Sequence, residues 1–121
     1  MGRKNDLMLE GKVFEQYAWP TVRRNYPRWR GWERMEQMRL ASGLQPDNVL
    51  WNEESEEAAV VEMKHVQELA EAHVRKVRGY MDEVGAEEGF IVIAWDTGVD
   101  PRIRRLARRQ GIHIRRTWWR G

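Results

Sequence analysis

The sequence of 121 residues contains no cysteine. Thiol catalysis, disulfide bonds and zinc sites built on cysteine are therefore excluded, and the absence fits the cytoplasm, where we expect this protein. Long apolar stretches are absent too, since no run approaches the roughly 18 residues that a membrane-spanning helix needs. The polar N-terminus is not a signal peptide. We predict a single domain, residues 1–121, with no membrane partner.

Acidic residues are nearly missing from the segment Asp100–Gly121, where eight arginines accompany one aspartate. That segment carries a net charge of +7 while the whole chain carries +2, so the other residues sum to −5. Seven acidic residues cluster between Asp47 and Glu68. Such an asymmetry of charge along the chain indicates an anionic partner.

A polar tip of Asn, Ser and Glu separates two short runs rich in apolar and β-branched residues, 48–51 and 58–64. This pattern predicts two strands of a hairpin. Both faces of the second run begin apolar, which is typical of an inner strand. A symmetric tip fixes the pairing as Trp51 with Ala58, Val49 with Val60, and Asp47 with Glu62.

Asp47 and Glu62 would then face each other at one end of the hairpin, where two carboxylates repel unless a cation lies between them. Lys64 is two residues beyond Glu62 and points to the same face. We therefore predict a metal site here, although a solvated strand end with Asp47 in a turn remains the alternative. Replacing either carboxylate should keep the fold and relieve repulsion.

The remaining patterns predict three helices and three more strands. Asp6 caps a helix that Pro20 ends or kinks, Gly85 ends a second helix, and Asp100-Pro101 begins a third. The predicted helices are 6–19, 66–84 and about 100–110, and the predicted strands are 33–40, 89–95 and 112–118. The order α-β-β-β-α-β-α-β, with parallel pairing after each crossover, indicates an α/β fold: a mixed sheet flanked by helices.

Basic side chains form two candidate nucleic-acid-binding regions. In the C-terminal region we expect phosphate contacts, because no acid balances the arginines there; its members are Arg102, Arg105, Arg109, Arg115 and Arg116. In residues 17–32, Arg23 and Arg24 alternate with aromatic residues. Bases can stack on such rings, while some of the rings are expected to fill the core instead.

The pair Pro46-Asp47, followed by Glu62-Met63-Lys64 at the end of a central strand, resembles the motif of the PD-(D/E)XK nucleases. The order of elements is similar to their restriction-endonuclease-like fold, and Gly11–Glu15 is similar to their first-helix motif. The resemblance implies Asp47, Glu62, Lys64 and Glu15 as catalytic residues. It also implies Mg²⁺, with Mn²⁺ as a substitute, on Asp47, Glu62 and the Met63 carbonyl.

The second helix departs from the pattern of the family, because Lys76 or Arg75 stands where a glutamine is often found, about one turn before Tyr80. We include Lys76 among the residues expected to bind nucleic acid. The resemblance implies an endonuclease that cuts DNA, including branched or flapped DNA, as a homodimer. A ribonuclease or DNase toxin with an immunity protein as partner is the first alternative, and an inactive nucleic-acid-binding module is the second.

Overall fold

The computed structural model describes residues 2–35, 42–43 and 48–117, with side chains from residue 13 onward. Helices and strands follow in the predicted order α-β-β-β-α-β-α-β, with a 3₁₀ turn at Arg28–Arg30 after the first helix. The helices are α1 (Gly2–Asn25), α2 (Glu71–Val84) and α3 (Pro101–Arg109). The strands are β1 (Trp32–Met35), β2 (Asn48–Asn52), β3 (Glu57–Lys64), β4 (Glu88–Ile93) and β5 (Ile112–Arg116).

The five strands form one mixed sheet in the order β1-β2-β3-β4-β5. Strands β1, β2 and β3 pair antiparallel, whereas β3, β4 and β5 pair parallel, as the sequence predicted. The hairpin register is also confirmed, since Val49 pairs with Val60 and Trp51 with Ala58. Asp47, the predicted partner of Glu62, lies outside the described residues.

Helices cover both faces of the sheet, so β3 is buried on both sides as predicted for an inner strand. On one face, α1 packs Phe14, Ala18 and Val22 against side chains that include Val61 and Met63. On the other face, α2 and α3 cover Val60 and its neighbours. The two apolar clusters account for the alternation of side chains along β3, whose successive residues point to opposite faces.

Helix α1 is longer than the sequence predicted, because it begins at Gly2, before the predicted cap at Asp6, and continues through Pro20 to Asn25. Proline cannot donate a hydrogen bond to the carbonyl four residues earlier and costs about 3 kcal/mol within a helix. Ala18, before Pro20, and Thr21 and Val22, after it, are all buried. Burial of side chains before and after the proline outweighs its cost, so the prediction that the helix ends near Trp19 was wrong.

Helix α2 begins at Glu71, five residues later than predicted. Residues 66–70 bond instead to the loop that follows β4: the Leu69 N–H donates to the Gly98 carbonyl at 2.9 Å, and the Gly98 N–H donates to the Gln67 carbonyl at 2.7 Å. The end of α2 is as predicted, since Gly85 adopts the left-handed conformation at φ 77°.

Helix α3 begins as predicted, with the Asp100 carboxylate accepting the Arg102 N–H at 2.8 Å and Pro101 in the first turn. Strand β5 ends at Arg116, earlier than predicted. Of the predicted strand 33–40, residues 33–35 belong to β1, and residues 36–40 lie outside the described residues. None of the described helices combines the length and apolar character that crossing a bilayer requires.

Candidate active site

The carboxyl end of β3 holds a buried acidic side chain. Glu62 is 1% exposed and follows Val60 on the face that α2 covers. Its Oε1 atom lies 3.1 Å from Nζ of Lys64, whose side chain is 22% exposed. The strand alternation therefore brings these two predicted site residues into contact at the point where parallel strands present ligand sites.

Helix α2 adds a second ammonium group to this site. Lys76 Nζ lies 3.7 Å from the same Oε1 atom of Glu62, and it also lies 5.7 Å from the ring centroid of the buried Tyr80. Lys76 and Tyr80 are one helical turn apart on α2, so the tyrosine ring packs against the lysine side chain. Lys76, predicted as a residue that contacts nucleic acid, is thus part of the same cluster as Glu62.

His73 borders the cluster. Burial lowers the pKa of His73, and the charges of Lys64 and Lys76 lower that pKa further. Its Nδ1 atom accepts a hydrogen bond of 2.9 Å from the Ala70 N–H at the start of α2, a role that requires an unprotonated nitrogen. Among the described residues, the ammonium groups of Lys64 and Lys76 thus lie beside the Glu62 carboxylate. Two ammonium groups so close together are suited to binding a phosphate group.

Glu15 and Met63 occupy the opposite face of the sheet. Both line an open cavity of about 580 Å³ together with Asn48, and the Met63 side chain belongs to the cluster beneath α1. Glu15 is exposed on α1, so the sheet separates its side chain from Glu62. Within the described residues, no group of three or more His, Asp and Glu side chains is arranged to hold a metal ion.

The C-terminal arginines differ in their surroundings. Contrary to the expectation that no acid balances them, Arg102 Nε lies 3.7 Å from the Asp100 carboxylate. Arg105 and Arg109 are exposed on α3. Arg116 is a structural residue at the end of β5, because one of its nitrogens donates to three backbone carbonyls between β4 and α3; these belong to Ala94, Trp95 and Thr97 at 3.2, 3.1 and 2.6 Å.

Arg115, one residue earlier on β5, donates to the neighbouring Ile114 carbonyl at 2.9 Å and is exposed. On α1, Arg24 is exposed and donates to the Thr21 hydroxyl at 3.1 Å. Both side chains thus hold local hydrogen bonds while remaining at the surface.

The aromatic residues of segment 17–32 divide between core and surface, as expected. Tyr26 and Trp32 are buried and pack edge to face with ring centroids 4.9 Å apart, whereas Tyr17 and Trp29 are 55% and 79% exposed. Trp19 carries guanidinium groups of Arg23 and Arg34 at 5.1 and 5.0 Å from its ring. No pattern in the sequence predicts the contact of Arg34 with Trp19, because it joins a residue of β1 to a residue of α1.

The fold is shared with two solved structures. A repair endonuclease from Pyrococcus abyssi matches with a TM-score of 0.58 and 18% identity, covering 84% of this chain and 46% of that chain. SfsA from Pyrococcus furiosus in complex with Ca²⁺ matches with a TM-score of 0.54 and 15% identity, covering 91% of this chain and 56% of that chain. This chain therefore spans about half the length of each protein.

No family model and no curated protein matches this chain. The likeness to the two solved structures establishes an α/β fold of the endonuclease-like kind, as the sequence predicted, and fold does not by itself determine activity.

Proposed function

We propose that this protein is a metal-dependent endonuclease of the PD-(D/E)XK type that hydrolyses phosphodiester bonds in DNA. The observation that carries the proposal is the contact between buried Glu62 and Lys64 at the carboxyl end of the central strand. The pairing of Val49 with Val60 supports the predicted pairing of Asp47 with Glu62, although Asp47 itself lies outside the described residues. The fold is that of a solved repair endonuclease.

The donor atoms fit a hard divalent cation. Glu62 offers a carboxylate at the strand end, and Asp47 with the Met63 carbonyl would complete an all-oxygen set of the kind that Mg²⁺ and Mn²⁺ accept. The SfsA structure of the same fold was solved with Ca²⁺, another cation of this class. When bound, the ion supplies Lewis acidity at the scissile phosphate.

The side chains of the cluster have separate roles in the proposed reaction. Lys64 is partly exposed beside Glu62, so its ammonium group can orient the attacking water and offset negative charge that develops on the phosphate. Lys76, more exposed at 46%, holds a non-bridging phosphate oxygen. Glu62, which is buried, fixes the direction of both lysines through its Oε1 atom.

The test is a cleavage assay with supercoiled plasmid, a DNA junction and a folded RNA. Each is incubated with Mg²⁺, with Mn²⁺ and with EDTA. We expect DNA cleavage with either ion and none with EDTA. Cleavage of RNA with the DNA left intact would instead support the ribonuclease toxin, and binding without cleavage in every metal would support the inactive module.

Exposed arginines on α3 lead to a second expected result. Replacing Arg105 and Arg109 by glutamine should flatten the plot of log affinity against log salt by roughly two units, because each lost phosphate contact on duplex DNA removes about 0.9. The cleavage rate at saturating DNA should hardly change, since these side chains lie on a different element from Glu62 and Lys64. Fluorescence anisotropy over a series of salt concentrations measures the slope.

A matched control replaces Arg75 and Arg78, which are already paired with Glu71 at 2.8 Å and Asp82 at 2.7 Å. That double variant should keep the wild-type slope. An unchanged slope in the variant of Arg105 and Arg109 would show that α3 does not face DNA.

A further inference from the structure

A groove rich in arginine and tryptophan runs along α1, the 3₁₀ turn and β1. Two open cavities of about 750 and 380 Å³ form it and share Trp19, Arg23 and Arg28. We call it the Arg–Trp groove, and its principal side chains are Trp19, Arg23, Arg28, Trp29, Arg30 and Arg34. Glu33 is the one acidic residue among those that line the two cavities. The groove is therefore cationic and aromatic together.

Trp29 is the most prominent ring in the groove. Its side chain is 79% exposed, and the Arg30 guanidinium lies 4.8 Å from the ring centroid. An exposed indole contributes little to the core, yet it offers a flat surface on which an unpaired base can stack. The Arg30 guanidinium adds a positive charge beside this ring, which would attract the phosphates of the same strand.

Trp19 has a different role, because its ring is already in contact with Arg23 and Arg34. Arg23 also donates to the Trp32 carbonyl at 3.3 Å, which fixes its direction. Burial, followed by the charges of Arg28 and Arg34, lowers the pKa of Arg23. The guanidinium groups thus repel one another in the free protein, and an anion bound between them would relieve that repulsion.

The Arg–Trp groove continues, on the face of the sheet that α1 covers, toward the carboxyl end of β3. Trp19, Pro20 and Arg34 also line the cavity of about 580 Å³ that reaches Asn48 and Met63. Met63 is the residue before the end of β3, and its side chain lies on the face opposite to Glu62 and Lys64. Asn48 is 5% exposed, and its Oδ1 atom accepts no hydrogen bond from the described residues, so this cavity contains a buried acceptor that an N–H group of an unpaired base would satisfy.

We propose that the Arg–Trp groove binds single-stranded DNA and directs it toward the carboxyl end of β3. Its exposed indole requires a base that is not stacked in a duplex, and its arginines follow a backbone of phosphates. That the bound DNA strand runs toward β3 rests on the proposed function. The substrate is then a DNA flap or branch with an unpaired arm. The binding itself does not depend on catalysis.

The experiment measures binding of a labelled oligothymidylate of about 20 nucleotides, of a duplex of the same length and of an RNA counterpart. It uses the Glu62→Gln variant in EDTA, so that cleavage does not contribute. We expect Trp29→Ala to weaken binding of the single strand about tenfold, within the range for one base–aromatic stack. Duplex binding should stay nearly constant, and Trp29→Phe should restore most of the loss.

Trp51→Ala is the matched control, because Trp51 is 36% exposed on β2 and lies outside the cavities that form the Arg–Trp groove. It should bind the single strand like the wild type. Equal losses on single strand and duplex, tighter binding of RNA than of DNA, or unchanged binding in Trp29→Ala would each overturn the proposal. Single-strand binding that needs Trp29 in a protein without nuclease activity would uphold this inference while refuting the proposed function.

Discussion

Glu62→Gln is expected to lower the cleavage rate at least about 100-fold, which is the lower end for loss of one group that stabilises a transition state. The amide keeps the shape of the side chain but removes the charge that binds a cation and aligns Lys64 at 3.1 Å. Single-turnover kinetics at saturating DNA and Mg²⁺ measures the effect. Asp47→Asn should produce a loss of similar size, since both carboxylates are proposed ligands.

The same substitution should also lower the free energy of unfolding, on the order of 1–3 kcal/mol, because it removes the buried charge that the Lys64 ammonium group contacts at 3.1 Å. Lys64 and Lys76 both contact Glu62 Oε1. Because of these contacts we expect a loss of stability from this substitution, whereas repulsion between Asp47 and Glu62 alone would predict a gain. Urea denaturation monitored by tryptophan fluorescence measures the change.

Glu71→Gln is the control for both measurements, because Glu71 is an exposed acid on α2 whose partner is the exposed Arg75. It should retain wild-type cleavage and lose little stability. Full activity in Glu62→Gln would end the nuclease assignment.

Lys64→Ala is expected to reduce the turnover rate about 100-fold or more while changing DNA affinity little. An interaction made in the transition state but not with the bound substrate affects the rate constant and leaves binding nearly intact. Lys64 is close enough to Glu62 to act at the same phosphate and is partly shielded from solvent. Single-turnover rates over a range of enzyme concentrations separate the two constants.

The Lys76→Ala variant is compared with Lys64→Ala to distinguish the roles of the two lysines. Lys76 lies farther from Glu62, at 3.7 Å, and is more exposed, so its removal should weaken DNA binding more than it slows the reaction. Weaker binding with an unchanged rate in Lys64→Ala would make Lys64 a plain phosphate contact. A larger rate loss in Lys76→Ala than in Lys64→Ala would exchange the two roles.

The hairpin could be predicted from the sequence because its signals are local. Alternating apolar residues, a polar tip and the spacing of Glu62 and Lys64 determine both the register and the shared face of these side chains. The caps at Asp100 and Gly85 are local signals of the same kind.

Features that depend on distant residues could not be predicted. Helix α2 begins late because residues 66–70 bond to residues 97–98, about 30 positions away. That displaced start leaves Lys76 beside Glu62. Pro20 is tolerated through packing against the sheet, and Arg34 joins Trp19 only through the path of β1. Such contacts join distant residues, so they produce no periodic pattern within a short stretch of the sequence.

The sheet order has a consequence for folding. Because each of the five described strands pairs with its neighbour in the sequence, each can be added to the sheet as it leaves the ribosome, once the connection or crossover helix before it has formed. The Thr117 hydroxyl donates a hydrogen bond of 2.9 Å to the Tyr17 carbonyl, 100 residues earlier in the chain. This bond cannot form before β5 has joined the sheet. Docking of the first helix is therefore completed last, so Thr117→Val should speed exchange of α1 amides with deuterium before it affects those of β3.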